Sequence, residues 1–324
     1  MFFSLRSLDV EYLDNKVFVL GIDGFDWNLL QSFIQQDQLP TFKKLLNDGV
    51  GGELTTTIPP ITGSAWASLV TGKNPGKHGV FDFFYRQENT YDMTPINSSN
   101  RMGKSIWDIL SKRRKKVVVV NIPGTYPPQK VSGIMITGKL TPSEKEVFTY
   151  PPSLSSELRR KGYIIHMTEV YSESNGDTFL RDVYHTLEKR TKIALDLIKS
   201  HDWDFFIANF DCVDEVQHWF WQYMDSRKNR LNSQKVRKYE KAILQIYKKM
   251  DKILEEFLMN LDEETTIMVV SDHGFGPQYG LIHLNNWLMD IGLVRLKKDL
   301  SSRIKFWLFK HGLSPQTLYN FVAM

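Results

Sequence analysis

Four stretches constrain the fold more than anything else in the chain. They are KVFVLGID (residues 16–23), KVVVVNIP (116–123), DFFIANFD (204–211) and TTIMVVSDHG (265–274). Each carries a continuous apolar run, the pattern of a strand covered on both faces. Amphipathic helical patterns lie between them. In residues 236–257, Val236, Tyr239, Ile243, Ile246, Met250, Ile253 and Phe257 recur at steps of three and four, giving one apolar face on a single helix. Residues 178–198 repeat the pattern with Leu180, Val183, Leu187, Ala194 and Leu197. PTFKKLLNDG (40–49) reads as a helix with Pro40 near its start and Gly49 as its stop. Strands alternating with long helices predict an α/β fold with a mainly parallel sheet flanked by helices.

Ligands of such sheets bind beyond the carboxyl ends of the strands. The residues found there are Asp23, Asp211 with nearby Asp214, and Asp272 with His273. Asp214 and His218 are four apart, on one face of a helix. Carboxylate and imidazole sets of this kind suit Zn²⁺ or Mn²⁺. Acids meeting at one sheet edge repel each other, and two metal ions would relieve that. Taken singly, Asp23 and Asp214 also read as helix caps, and Asp272 with His273 as a turn. Jointly the spaced histidines favour the metal reading. Asp211 is the weaker candidate beside Asp214, because the residue four beyond it is Glu215.

The stretch PPITGSAWASLVTGKNPGKHG (59–79) places Thr62 at the mouth of a short apolar helix. Backbone N–H groups and the helix dipole make that position an anion site. A neutral threonine hydroxyl needs a base or a metal to act as a nucleophile. So activated, Thr62 would attack phosphorus while the Gly63 N–H helps hold the developing charge. The plain alternative is an ordinary N-cap.

Composition limits the function classes. The 324 residues include 41 basic and 37 acidic side chains, a balance that does not point to nucleic acid. The local run KRRKK (112–116) follows a helical pattern and reads as its solvated C-terminal end. The single cysteine, Cys212, excludes an intramolecular disulfide and a cysteine zinc cage. No apolar run approaches the roughly 20 residues that span a bilayer. The first residues show no signal-type pattern, so the expected compartment is cytoplasmic.

The blocks LGIDGFD, PPITGSAWASLVTGKNPGKHG, DEVQH and VVSDHGFG, in this order, resemble the alkaline phosphatase superfamily, and within it the type I phosphodiesterase/nucleotide pyrophosphatase family. The resemblance implies an alkaline-phosphatase-like three-layer sandwich with two divalent metal ions, usually zinc, and a threonine nucleophile. It would assign Asp23, Asp272 and His273 to one metal. Asp214, His218 and a further histidine would hold the other, and Thr62 would be the nucleophile. There are two departures. The family's asparagine after the HG pair, which helps hold the phosphoryl group, is matched here by Phe83. The family's last metal histidine comes from a C-terminal segment, where this chain has only His283 and His311.

The expectation is one metallohydrolase catalytic domain over residues 1–324, its C-terminal part missing, with 84–168 as a partly inserted edge segment. Its activity is hydrolysis of a phosphodiester or pyrophosphate bond in a small phosphorylated substrate, with His283 as a substitute ligand. Alternatives are a phosphomonoesterase or phosphoryl-transfer enzyme on the same site, and an impaired remnant that binds metal and phosphorylated ligands. RIKFWLFKHGL (303–313) also suits a membrane surface, though a docked helix fits it better.

Overall fold

A computed structural model describes residues 2–3, 15–90, 92–225, 233–295 and 297–311. These fall into two compact units, divided between Gly276 and Pro277. The strands are β1 (Phe2–Phe3), β2 (Val17–Ile22), β3 (Val50–Gly51), β4 (Phe84–Arg86), β5 (Met93–Pro95), β6 (Val117–Ile122), β7 (Gly133–Thr137), β8 (Thr149–Tyr150), β9 (Phe205–Phe210) and β10 (Thr266–Val270). The helices of the first unit are α1 (Trp27–Gln35), α2 (Pro40–Asp48), α3 (Thr62–Thr71), α4 (Pro75–His78), α5 (Ile106–Lys112), α6 (Ser153–Arg160), α7 (Gly176–Ser200), α8 (Cys212–Met224), α9 (Ser233–Tyr239) and α10 (Ala242–Leu258). The second unit holds α11 (Leu284–Asp290) and α12 (Leu300–Lys310). Among the described residues, no helix is long and apolar enough to cross a membrane.

The main sheet has the order β3-β1-β10-β2-β9-β6-β7-β8. Its five inner strands, β10 through β7 in that order, are parallel; β1 and β8 run antiparallel to them, and β3 at the edge pairs antiparallel with β1. Val19 pairs with Met268 on one side and Ile207 on the other. The apolar runs follow from two cores. Side chains alternate across a strand, so Phe18, Leu20, Ile22, Phe206, Ala208 and Phe210 pack on one face against α7, α8 and α10. Val19, Val119, Ile207 and Val270 pack on the other face with Trp66 and Val70 of α3 and Trp107 of α5. This is the three-layer α/β arrangement.

The helix expected over 236–257 is two helices, α9 and α10, with Glu240 and Lys241 between them. The apolar steps of three and four continue across the junction, and neither glycine nor proline marks it. The pattern therefore carries no sign of the break. The 84–168 segment supplies the small β4–β5 hairpin, α5, α6 and the strands β6, β7 and β8 of the main sheet.

Because the inner strands are parallel, their carboxyl ends share one edge. The register there is anchored by the backbone. The N–H of Asp23 donates to the Phe210 carbonyl at 3.0 Å. At Asn121 the pairing of β6 with β7 shifts, the backbone takes φ 58°, and the side-chain amide donates to the Asn209 carbonyl at 2.9 Å.

Candidate metal and phosphoryl site

Asp23 emerges from β2 almost fully buried. Trp66 Nε1 donates to its Oδ2 at 3.2 Å, and Thr62 Oγ1 donates to its Oδ1 at 3.3 Å. Trp66 reaches the carboxylate because Gly21 stands behind it. A Cβ there would lie 2.4 Å from Trp66 Cη2. Gly24 has φ +67°, and a Cβ on it would lie 2.8 Å from Asp214 Oδ1. Glycine at that position thus lets α8 close on the strand end.

Thr62 is the first residue of α3, and the N-cap is Ile61. The plain cap reading therefore does not describe it. The first intrahelical donor is the Ala65 N–H, bonded to the Ile61 carbonyl at 2.9 Å. The N–H groups of Thr62, Gly63 and Ser64 precede that bond, at the positive end of the helix. The Thr62 hydroxyl also lies 3.1 Å from His273 Nε2. His273 Nδ1 is 2.9 Å from the Gly274 carbonyl, which only accepts. That bond places the proton on Nδ1 and leaves the Nε2 lone pair facing Thr62, Asp23 and Asp272.

Asp272 accepts from the Gly24 N–H through Oδ1 at 3.1 Å, and its carbonyl accepts from Thr56 at 2.6 Å. His273 Nε2 stands 3.4 Å from Asp272 Oδ2 and 3.5 Å from Asp23 Oδ1. Asp214 is the third residue of α8, whose N-cap is Asp211, and its Oδ2 is 3.4 Å from His218 Nε2. A chain of bonds fixes this helix. Gln217 donates to the Gly24 carbonyl at 2.6 Å and accepts from the Tyr247 hydroxyl at 3.1 Å, which in turn accepts from the Asp26 N–H at 3.0 Å.

Ligand atoms of Asp23, Asp214 and His273 lie within 4.8 Å of one another. This trio draws from both of the metal sets that the family resemblance implies. Burial, then the charges of Asp272 and Asp214, push the Asp23 carboxyl well above the usual carboxylate range. Burial, with the Asp214 charge adding, raises Asp272 too. The hydrogen bond to Asp214 raises His218. Asp214 Oδ1 and Asp272 Oδ2 are buried without a hydrogen-bond partner among the described residues. Two orphaned carboxylate oxygens among buried acids fit divalent cations.

The remaining sequence candidates lie as follows. The His218 side chain is 57% exposed, with its ring edge-on to Phe275. Asp211 pairs with the fully buried Arg190, which also donates to the carbonyls of Ile164 and Ile165. The Phe83 ring lies 3.6 Å from where a Gly63 Cβ would sit. His283 precedes α11 and His311 follows α12, both in the second unit.

Lys139 was missed by the sequence reading. It follows β7 at the same sheet edge, and its Nζ is 3.1 Å from Glu215 Oε1. Burial works against its charge, but Glu215, Asp211, Asp23 and Asp214 outweigh burial and hold the amine above its ordinary pKa. Helix α8 thus carries two adjacent i, i+4 stripes. Asp214 and His218 face the acid cluster, while Glu215 and Trp219 line a cleft of about 210 Å³ with Lys139, His166 and Tyr171.

The chain matches the type I phosphodiesterase / nucleotide pyrophosphatase family over residues 17–312. Among solved structures it is similar to phosphonoacetate hydrolase from Sinorhizobium meliloti 1021 in complex with phosphonoacetate. The TM-score is 0.61 at 15% identity, covering 87% of this chain and 63% of that one. Murine ectonucleotide pyrophosphatase / phosphodiesterase 5 gives a TM-score of 0.49 at 15% identity, covering 80% and 57%. The chain therefore spans less than two thirds of either. No curated protein matches it.

Proposed function

The chain belongs to the type I phosphodiesterase / nucleotide pyrophosphatase family, and from that premise we propose that it is a metal-dependent hydrolase of phosphate esters with Thr62 as nucleophile. The observation that carries the proposal is the position of the Thr62 hydroxyl. It stands at the first residue of α3, 3.3 Å from Asp23 Oδ1 and 3.1 Å from His273 Nε2.

Two divalent ions, zinc or manganese, belong to this reading. Asp23, Asp272 and His273 would hold one, and Asp214 with His218 the other. Bound there, they would neutralise the acids and stabilise charge on the phosphoryl oxygens. The chain's own residues supply the rest. Asp23 Oδ1 accepts the hydrogen bond of the Thr62 hydroxyl and orients it, and the hydroxyl proton passes to solvent water once bound cations have lowered its pKa. Its Oγ forms a bond to phosphorus as the bond to the leaving alcohol breaks. Water then attacks the phosphorus of the phospho-threonine, and Thr62 leaves with its proton restored. The Gly63 N–H, next in the helix, points its dipole at the developing oxyanion. The substrate is a small phosphorylated molecule carrying a diester or pyrophosphate bond.

The test is Thr62→Ala assayed on a bis-aryl phosphate with added zinc or manganese. Turnover should disappear while metal stoichiometry and melting temperature stay near those of the parent. Losing the hydroxyl costs only about 1 kcal/mol of stability. A Thr62→Ala protein that keeps most of its activity refutes the nucleophile.

A further inference from the structure

We propose that Lys139 is the substrate-binding cation of this site, gripping the non-bridging phosphoryl oxygens and favouring phosphoryl groups of higher negative charge. The inference rests on the phosphate-ester reading above and adds the residue that selects among phosphate esters.

Three observations carry it. The first is place. Lys139 stands just past the end of β7, on the sheet edge where Asp23, Asp214 and His273 meet. Its backbone is pinned there. The Gly124 N–H donates to the Lys139 carbonyl at 3.1 Å, and the Gly138 N–H donates to Thr125 Oγ1 at 3.2 Å.

The second is the neighbour that it faces. Lys139 Nζ lies 5.7 Å from the centre of the Phe83 ring, and that ring packs beside Gly63, next to Thr62 in α3. Phe83 has no polar side-chain atom to offer a phosphoryl oxygen. The cation that stands over the ring is Lys139. The third is availability. Among the described residues, its Nζ has Glu215 as a single hydrogen-bonding partner. An ammonium has three donors, so further N–H groups remain for a ligand. The side chain is 32% exposed and opens on the cleft with His166 and Tyr171. Arg190, the other cation of this region, is 1% exposed and committed to Asp211 and two carbonyls.

The chemistry follows from charge. A phosphomonoester at neutral pH is a dianion and a diester a monoanion. A fixed ammonium at a phosphoryl oxygen therefore stabilises the first more strongly. The acids around Lys139 keep its amine charged.

The experiment compares Lys139→Met, Lys139→Arg and the parent in the metal-loaded protein. Binding of inorganic phosphate is measured by calorimetry, and kcat/KM is measured for an aryl monoester and a bis-aryl diester with the same leaving group. Lys139→Met should weaken phosphate binding by about 10–100-fold, the worth of one charge-assisted contact. It should lower monoester turnover more than diester turnover, at unchanged metal stoichiometry. Lys139→Arg should restore much of both. Should Lys139→Met not fold, Lys139→Gln, uncharged but polar, carries the same comparison. Unchanged phosphate affinity, or an equal fall for both esters together with loss of metal, would overturn the proposal and leave Lys139 a counter-ion of the acids. Phosphate binding does not need Thr62. An active Thr62→Ala protein would therefore sink the nucleophile while leaving this readout intact.

Discussion

Replacing Gly21 with alanine tests whether the core and the acid cluster are one mechanical unit. The added Cβ would stand 2.4 Å from Trp66 Cη2, where ordinary contact is 3.4–4 Å, so the indole must retreat by about 1 Å. It has little room. Trp66 is fully buried among Val19, Val70, Val119, Ile207 and Val270. Overpacking of this kind costs about 1–3 kcal/mol. The retreat also stretches the 3.2 Å bond from Trp66 Nε1 to Asp23, adding about 1 kcal/mol. A loss of about 2–4 kcal/mol lowers the melting temperature by roughly 5–15 °C in a domain of this size. The assay is a thermal melt of four proteins: the parent, Gly21→Ala, Trp66→Phe and the double variant. Phenylalanine lacks the outer ring that carries Cη2. The double variant should therefore be less destabilised than the sum of the singles by about 1–3 kcal/mol. A Gly21→Ala shift below about 2 °C, or strictly additive singles, would refute the contact.

Protonation gives a second test. Between the ordinary carboxylate pKa of 3.8 and the raised value of folded Asp23, the unfolded chain loses its proton while the folded chain keeps it. Stability of metal-free protein should therefore fall as pH rises through that window. Asp23→Asn should remove this part of the loss, as urea melts in chelator from pH 4 to 8 would show. Metal uptake should weaken as pH falls, starting above the usual carboxylate range, because Asp23 and Asp272 must give up protons to bind a cation; calorimetric proton release checks this. Arg190→Met strands the Asp211 carboxylate and should cost about 3–5 kcal/mol in a denaturant melt, while adding Asp211→Asn should recover part of it.

The sheet was legible because its inner strands are covered on both faces, which leaves no polar alternation to confuse the period. β2, β6, β9 and β10 each sit inside the quoted apolar runs. The same continuity exposed the strand-end acids, since a carboxylate closing an apolar run stands out. What stayed hidden depended on tertiary geometry. Thr62 as first helical residue and Thr62 as cap differ by one position, and PPITGS carries no signal that separates them. Lys139 sits in TGKLTP, which reads as a solvated turn until β7 is placed beside β6. Arg190 lies in a helix of mixed charge, and its burial appears only when Asp211 and the Ile164–Ile165 carbonyls close around it.

Helix α8 presents Asp214 and His218 on one stripe, Glu215 and Trp219 on the next. Successive helical positions are about 100° apart. The two stripes are thus locked in phase, yet they share no residue. Substitutions at Glu215 or Trp219 reshape the cleft beside Lys139 without altering the spacing of Asp214 and His218. A one-residue insertion ahead of Asp214 would instead turn both stripes together, moving Asp214 off the acid cluster and Glu215 out of the cleft at once. Change along this helix is therefore tolerant of exchange and intolerant of length. The stretch DCVDEVQHW tolerates replacement on its cleft stripe but not a change of length.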